Sequence, residues 1–363
     1  FALQDLCRQR RTVDCHKGFF LSQACIMDAL RKQLYQAKYF PADKVFEPYL
    51  ELPKTIEGYH HGVVRREVTL AADEKNDVVS HSYVSQLSSE SGLENLKVPD
   101  IRVDEAKDKK RWEKVSEMVS GILPVRLTGV RMFHCGIWDD LVEAIGTDNF
   151  FFFFADEPEL LHKAARRMAD ICQSLIDQLT EKQLFDAYEP TVHCTGAYTD
   201  ELPQDKEKNV RPGDVWTFGL AQMLGSVSPQ MFEEYEVEYV KPLLEQFGLV
   251  YYGCCEPLHN RIDYIRKIKN VRKISMSPWA DIRAGAEHIH GDYVISRKPN
   301  PAYLAAASFE PELVRRELQE TCRAAKENGC TCELILKDVS TVQYHPERLA
   351  QWHKIAVEVA GEW

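Results

Sequence analysis

Two adjacent thiols and a carboxylate, Cys254-Cys255-Glu256, stand directly after the apolar run Leu249-Val250-Tyr251-Tyr252. Thiolates are soft metal ligands and strong nucleophiles, and a carboxylate beside them is a hard ligand or a base. An apolar run that stops at such groups is how a buried barrel strand delivers side chains to its C-terminal mouth, where such folds keep their chemistry. The plainer reading makes the two cysteines small buried residues or a strained vicinal disulfide. Other apolar stretches end in comparable groups: His134-Cys135, His193-Cys194, Trp279 to Asp281, Arg297-Lys298 and Lys337-Asp338. Cysteine, histidine and carboxylate gathered at one mouth suit a zinc ion with an open coordination position, although no Cys-x-x-Cys spacing is present. Trp216 and Trp279 are candidates to line a substrate pocket, against the ordinary role of tryptophan in a core. Arg297 and Lys298 are candidates either to bind an anion or to close a salt bridge. Asp338 is a candidate acid, or merely the partner of Lys337.

The elements that must position these groups follow a rhythm. A helix is expected over 22–38, ended by Pro41, then a hairpin of 63–70 and 77–84 around the charged turn 72–76. Residues 86–112 read as a polar loop leading into a helix that continues to Ser120. From Pro124 onward, strands are expected over 125–130, 185–192, 249–252, 271–276, 292–295 and 332–336. Helices are expected over 138–145, 157–179, 230–247, 260–269, 281–288, 310–327 and 346–359. Leu160, Leu161, Ala164, Met168, Ile171, Leu175 and Leu179 mark the apolar side of the long helix. Ser228 is a plausible N-cap, with Pro229 in the first turn. Strand followed by helix with short loops argues for a parallel sheet. The expected fold is a (β/α)8 TIM barrel over 113–363, with N-terminal helices and the β-hairpin of 1–112 packed on it as one domain overall. A doubly wound open sheet is the alternative. No glycine-rich phosphate fingerprint follows any strand, which weakens its nucleotide-binding form.

The totals bound the partners. The chain has 363 residues, 44% of them hydrophobic, enough for one large domain or two smaller ones. A formal charge of −11 gives nucleic-acid binding no electrostatic support. No apolar run approaches the ~20 residues that span a bilayer. The 11 cysteines are too sparse for a disulfide scaffold. No signal-peptide pattern is visible, and the chain begins at Phe1 without a methionine. A soluble protein of a reducing cytoplasm is the expectation.

Some residues carry a family likeness. Trp138-Asp139-Asp140-Leu141, Asp156-Glu157-Pro158-Glu159, the run Ser228-Pro229-Gln230-Met231-Phe232-Glu233-Glu234-Tyr235 and Gly253-Cys254-Cys255 form one set of landmarks. Together they make the region from about Pro124 to Trp363 resemble the uroporphyrinogen decarboxylase superfamily, in particular its corrinoid-dependent methyltransferase-like members. The resemblance implies a (β/α)8 barrel and a homodimer. It also implies a cytoplasmic methyltransferase moving a methyl group between a small molecule and a corrinoid. No Asp-x-His-x-x-Gly corrinoid motif is present, so a separate corrinoid protein would be the partner. The zinc-binding branch uses a His-x-Cys pair on one strand and a cysteine on a later one. Here that pair falls on Tyr252-Gly253-Cys254 or on Gly253-Cys254-Cys255, in either case without the histidine, for which Cys255, Glu256 or His259 would substitute. The later cysteine falls at Cys330 or Cys332. On this reading Cys254, Cys255 and Cys332 hold zinc, Glu256 and Asp338 manage the chemistry, and His134, His193, Trp216, Gln222, Trp279 and Arg297 shape the pocket. The alternative is a metal-free, uroporphyrinogen-decarboxylase-like lyase in which Arg297 and Lys298 hold carboxylates and Asp281 or Asp338 supplies a proton. Arg8-Gln9-Arg10-Arg11 lacks the glycine of that branch's N-terminal motif. A third reading is a barrel kept as a binding or assembly subunit.

Overall fold

The computed structural model describes residues 23–63, 65–71, 79–203 and 209–363. The Arg8–Arg11 stretch and the 72–76 turn lie outside them. Helix α1 (Gln23–Tyr39) opens the described chain. Strand β1 (Leu50–Pro53) then pairs in parallel with β2 (Val125–Thr128). The hairpin forms as expected, with Glu67–Ala71 antiparallel to Val79–Tyr83. Helix α2 (Glu105–Met118) is N-capped by Asp104, whose carboxylate accepts from the Lys107 amide.

The centre is a six-stranded parallel sheet. Its strands are β3 (Met132–Cys135), β4 (Trp216–Gly219), β5 (Leu249–Tyr252), β6 (Val271–Met276), β7 (Val294–Arg297) and β8 (Cys332–Leu334), and they hydrogen-bond in simple chain order. All four residues of β5 are buried, so both faces of the sheet are covered. That is why this strand reads as an unbroken apolar run. One face packs on α3 (Ile137–Ile145), on α4 (Pro158–Glu181) and on the helical run 229–244. The other face of β4 and β5, with Trp216, Phe218, Leu249 and Tyr251, packs on Val192 and Ala197 around the small hairpin 191–196. The seven residues that mark the apolar side of α4 are all buried. Helices α5 (Ile282–Ile289), α6 (Pro311–Glu327) and α7 (Glu347–Gly361) follow β6, β7 and β8.

Several expectations change. The hydrogen-bonded ladder of six strands ends at β3 and β8, and β1–β2 form a separate ladder, so the α/β class holds without a single closed ring of strands among the described residues. The expected strand 185–192 is instead a bridge from Val130 to Phe185 followed by the hairpin Thr191–Val192 with Thr195–Gly196. His193, in its turn, takes a left-handed φ of 52°. The helix expected over 260–269 shrinks to Ile262–Ile265. Strands β1, β3 and β4 carry too few apolar residues in alternation to stand out in sequence.

The run 229–244 starts as expected, with the Ser228 hydroxyl accepting from the Met231 amide at 3.1 Å. It widens at Glu233–Val237 into a π-type turn. The fully buried Trp138 donates its indole N–H to the Tyr235 carbonyl of that turn at 2.9 Å. Trp138→Phe leaves this carbonyl without its donor and a small void beside it. A loss of about 1–3 kcal/mol in unfolding free energy is expected, read by urea denaturation.

Candidate functional site

Gly253 makes the site possible. It follows β5 with φ 93°, and a Cβ there would lie 2.3 Å from the Leu258 side chain. Only glycine suits both conditions. Its amide bonds the Gly219 carbonyl at 2.8 Å, which ties the ends of β4 and β5 together and turns the chain so that Cys254 and Cys255 come to the mouth. Glu256 then fixes the loop. Its carboxylate accepts from the Cys254 amide at 2.9 Å and from the Ala221 amide at 3.1 Å, and it is buried.

The two sulfurs stand 3.5 Å apart. Lys337, three residues past β8, reaches between them: its Nζ lies 3.4 Å from Cys254 Sγ and 3.7 Å from Cys255 Sγ. It also pairs with Asp338 at 3.0 Å. Asp338 has a left-handed φ of 57°, a non-glycine geometry that collects at working sites. The Cys255 thiol has two acceptors in range, Cys254 Sγ and Asp338 Oδ2 at 3.6 Å. Beneath them the buried Lys298 donates to the Cys254 carbonyl at 2.9 Å and to Ser275 Oγ at 2.7 Å, while the Ser275 hydroxyl donates to the same carbonyl.

These contacts sort the two thiols. A hydrogen bond from Cys255 does most to lower the Cys254 pKa; burial opposes it, Lys298 and Lys337 assist, and the thiol ends at about 7. The same hydrogen bond, with burial, pushes Cys255 up and keeps it a thiol. Burial works against the charge on Lys337, but Cys254, Cys255 and Asp338 outweigh it and hold the ammonium above the ordinary lysine range. Cys194, in the 191–196 hairpin, is raised to about 11 by burial although it feels both lysines. The arrangement is an ion pair of one thiolate with one ammonium, with a second thiol as donor. Such a thiolate is a nucleophile toward electrophilic carbon.

The other expected residues distribute unevenly. Cys332 does not join the pair. It starts β8, roughly 16 Å of extended chain before Lys337, and its Sγ points to the Glu333 carbonyl. The set Cys254, Cys255, Cys332 is therefore not assembled, because β8 brings its far end, not its start, to the mouth. Among the described residues no group of three or more His, Cys, Asp or Glu side chains is arranged to hold a metal ion. Trp216 is buried in the sheet's second face with its indole bonded to the Ala197 carbonyl at 3.0 Å, so it is core. Arg297 is buried against Glu317 at 2.9 Å and the Ser277 carbonyl at 2.7 Å; the salt-bridge reading holds and the anion-binding one does not. With Lys298 also engaged, neither member of the expected pair is available to hold a carboxylate.

His134 and His193 both face Phe218, at ring distances of 5.3 and 4.1 Å, and His193 also meets Tyr251. Gln222 donates to Asp139 Oδ2 at 2.9 Å at the same end of the sheet. Burial, with Glu256 and Asp140 adding to it and Gln222 opposing, raises Asp139 to about 7. Trp279 is 73% exposed, on the loop after β6. Lys337 entered the sequence reading only as a neighbour of Asp338, with no role of its own at the thiols. The signal was present in Leu334-Ile335-Leu336-Lys337, an apolar strand end delivering a cation.

Comparison with known proteins adds little to this geometry. No family model matches the chain, and no curated protein matches it. Among solved structures, a methyltransferase from Methanosarcina mazei superposes with a TM-score of 0.48 at 12% identity, over 91% of this chain and 83% of that one.

Proposed function

We propose that the protein is a methyl-transferring enzyme whose working group is the Cys254 thiolate. One observation carries this reading: the Lys337 ammonium set between two adjacent thiols at the end of β5. We also read the six-stranded sheet and the β1–β2 ladder as arcs of one (β/α)8 barrel, whose inner face holds Tyr251, Phe218 and the 191–196 hairpin.

The Cys254 sulfur attacks a methyl carbon held in line with it. The carbon–leaving-group bond breaks, its electron pair departs with the leaving group, and a thioether forms. A corrinoid on a partner protein would, when docked, supply that methyl group bound to cobalt, as the sequence resemblance implies. Lys337 and the Cys255 thiol stabilise the thiolate before attack. Glu256 holds the Cys254 amide and so aims its sulfur, and Lys298 does the same through the carbonyl. His134 near the end of β3, Gln222 with Asp139 just past β4 and β3, and the exposed Trp279 past β6 are the residues this reading assigns to the approach.

Methylcobalamin and methyl iodide serve as probes. Either is expected to place one methyl group on Cys254 of the native chain, read by intact mass and peptide mapping, with reduced cobalamin released in step from methylcobalamin and iodide from methyl iodide. A chain whose label falls on other thiols, or that stays unmethylated under both probes, would sink the proposal.

A further inference from the structure

We infer that the Lys337 ammonium occupies the place a metal ion would take, so that this dithiol site is closed to divalent metals by a residue of the chain itself. The inference rests on the reading above that the cluster is the working site. Its readouts need no methyl transfer, so the two ideas can fail separately.

The donors of a metal site are close to hand. Two thiolates on one tetrahedral zinc, each ~2.3 Å from the ion, stand roughly 3.8 Å apart. Cys254 and Cys255 stand 3.5 Å apart, with the Asp338 carboxylate 3.6 Å from the second sulfur. At the meeting point of the three is Nζ of Lys337, 3.4 and 3.7 Å from the sulfurs and 3.0 Å from the carboxylate. Those are hydrogen-bond lengths, about an ångström longer than metal bonds. The ammonium supplies the positive charge the sulfurs need and props the donors apart. A divalent ion would have to evict it. Lys337 is buried, and a second buried cation, Lys298, lies on the carbonyl side of Cys254, so an incoming ion meets two like charges in a site largely removed from water. The fourth ligand is also missing, because Cys332 lies at the far end of β8.

The full chain, purified reduced and without chelator, is titrated with Co²⁺ and watched for thiolate-to-cobalt charge-transfer absorption. The native protein is expected to show none. Lys337→Ala and Lys337→Cys are each expected to show the band, saturating at one ion per chain, and to lose it again when Cys254→Ser is added. A band in the native chain that Cys254→Ser abolishes would overturn the inference. So would two folded Lys337 variants that remain without one. The native protein decides the matter even if the variants unfold. Zinc is expected to leave the iodoacetamide rate of native Cys254 unchanged, and zinc protection of that thiol would contradict the ammonium's role.

Discussion

Alkylation of Cys254 by iodoacetamide is expected to rise with pH through a midpoint near 7 and level off above it, and Lys337→Met is expected to slow it at pH 7 by roughly one to two orders of magnitude. The sign follows from which form reacts. Only the thiolate attacks, so a thiol held at about 7 is half reactive at neutral pH, whereas an ordinary one at ~8.5 is only a few per cent ionised there. Lowering the pH through 7 returns the proton to Cys254 and the rate falls. Removing the ammonium leaves burial as the main opponent of the charge, so the midpoint moves up. Lys337→Arg is expected to restore part of the shift, because the charge returns in a bulkier form. Rates resolved by peptide mapping separate Cys254 from Cys255, which stays protonated and slow. A midpoint that does not move in Lys337→Met would show that the hydrogen bond from Cys255 and the charge of Lys298 suffice without Lys337.

Arg261→Leu is expected to cost upwards of about 4 kcal/mol of folding free energy and to slow Cys254 alkylation as well. The guanidinium is 2% exposed and donates to the carbonyls of Leu224, Val227 and Gly225 at 2.9, 2.7 and 3.2 Å, and to that of Pro257 at 3.3 Å. It also lies over the Phe232 ring. Leucine fills much of the volume but leaves these buried oxygens without donors, and each such loss costs about 1–3 kcal/mol. Three of these carbonyls, those of Leu224, Gly225 and Val227, belong to the 222–227 turn, whose neighbour Ala221 holds Glu256 and, through it, the Cys254 amide. Denaturant unfolding measures the first effect and thiol mapping the second. Loss of stability without change at Cys254 would separate the two loops.

The thiol pair was legible in the sequence because its strand is buried on both faces, and such a strand reads as an apolar run with an abrupt end. The order of β5 to β8 was legible from the alternation of short strand-like runs with helical stretches. Strand β4 was not: Trp216 and Phe218 face one side, Thr217 the other, and the run is only four residues long. The hairpin 191–196 hid because a left-handed histidine leaves no compositional mark. The third ligand failed for a geometric reason. A sequence shows that a cysteine is near a strand, but Cys332 is at its start and Lys337 beyond its end, and only the direction of the strand decides which reaches the thiols. Residue type pointed to cysteine as ligand, whereas the charge that settles on the pair comes from a lysine.

The distance in sequence between Lys337 and the thiols has a consequence for how the protein matures. Cys254 and Cys255 leave the ribosome 82 to 83 residues before the cation that activates them, with β6, β7 and their helices still to come. Parallel pairing is slow to close because each strand waits for a long crossover. Until β8 docks beside β7, Cys254 has the hydrogen bond from Cys255 and the charge of Lys298 to draw on, but not the charge of Lys337. Full reactivity therefore arrives last, when the sheet is complete. A nascent or C-terminally truncated chain lacks this last contribution, and the change in alkylation rate that it brings to one thiol becomes a clock for the final step of folding.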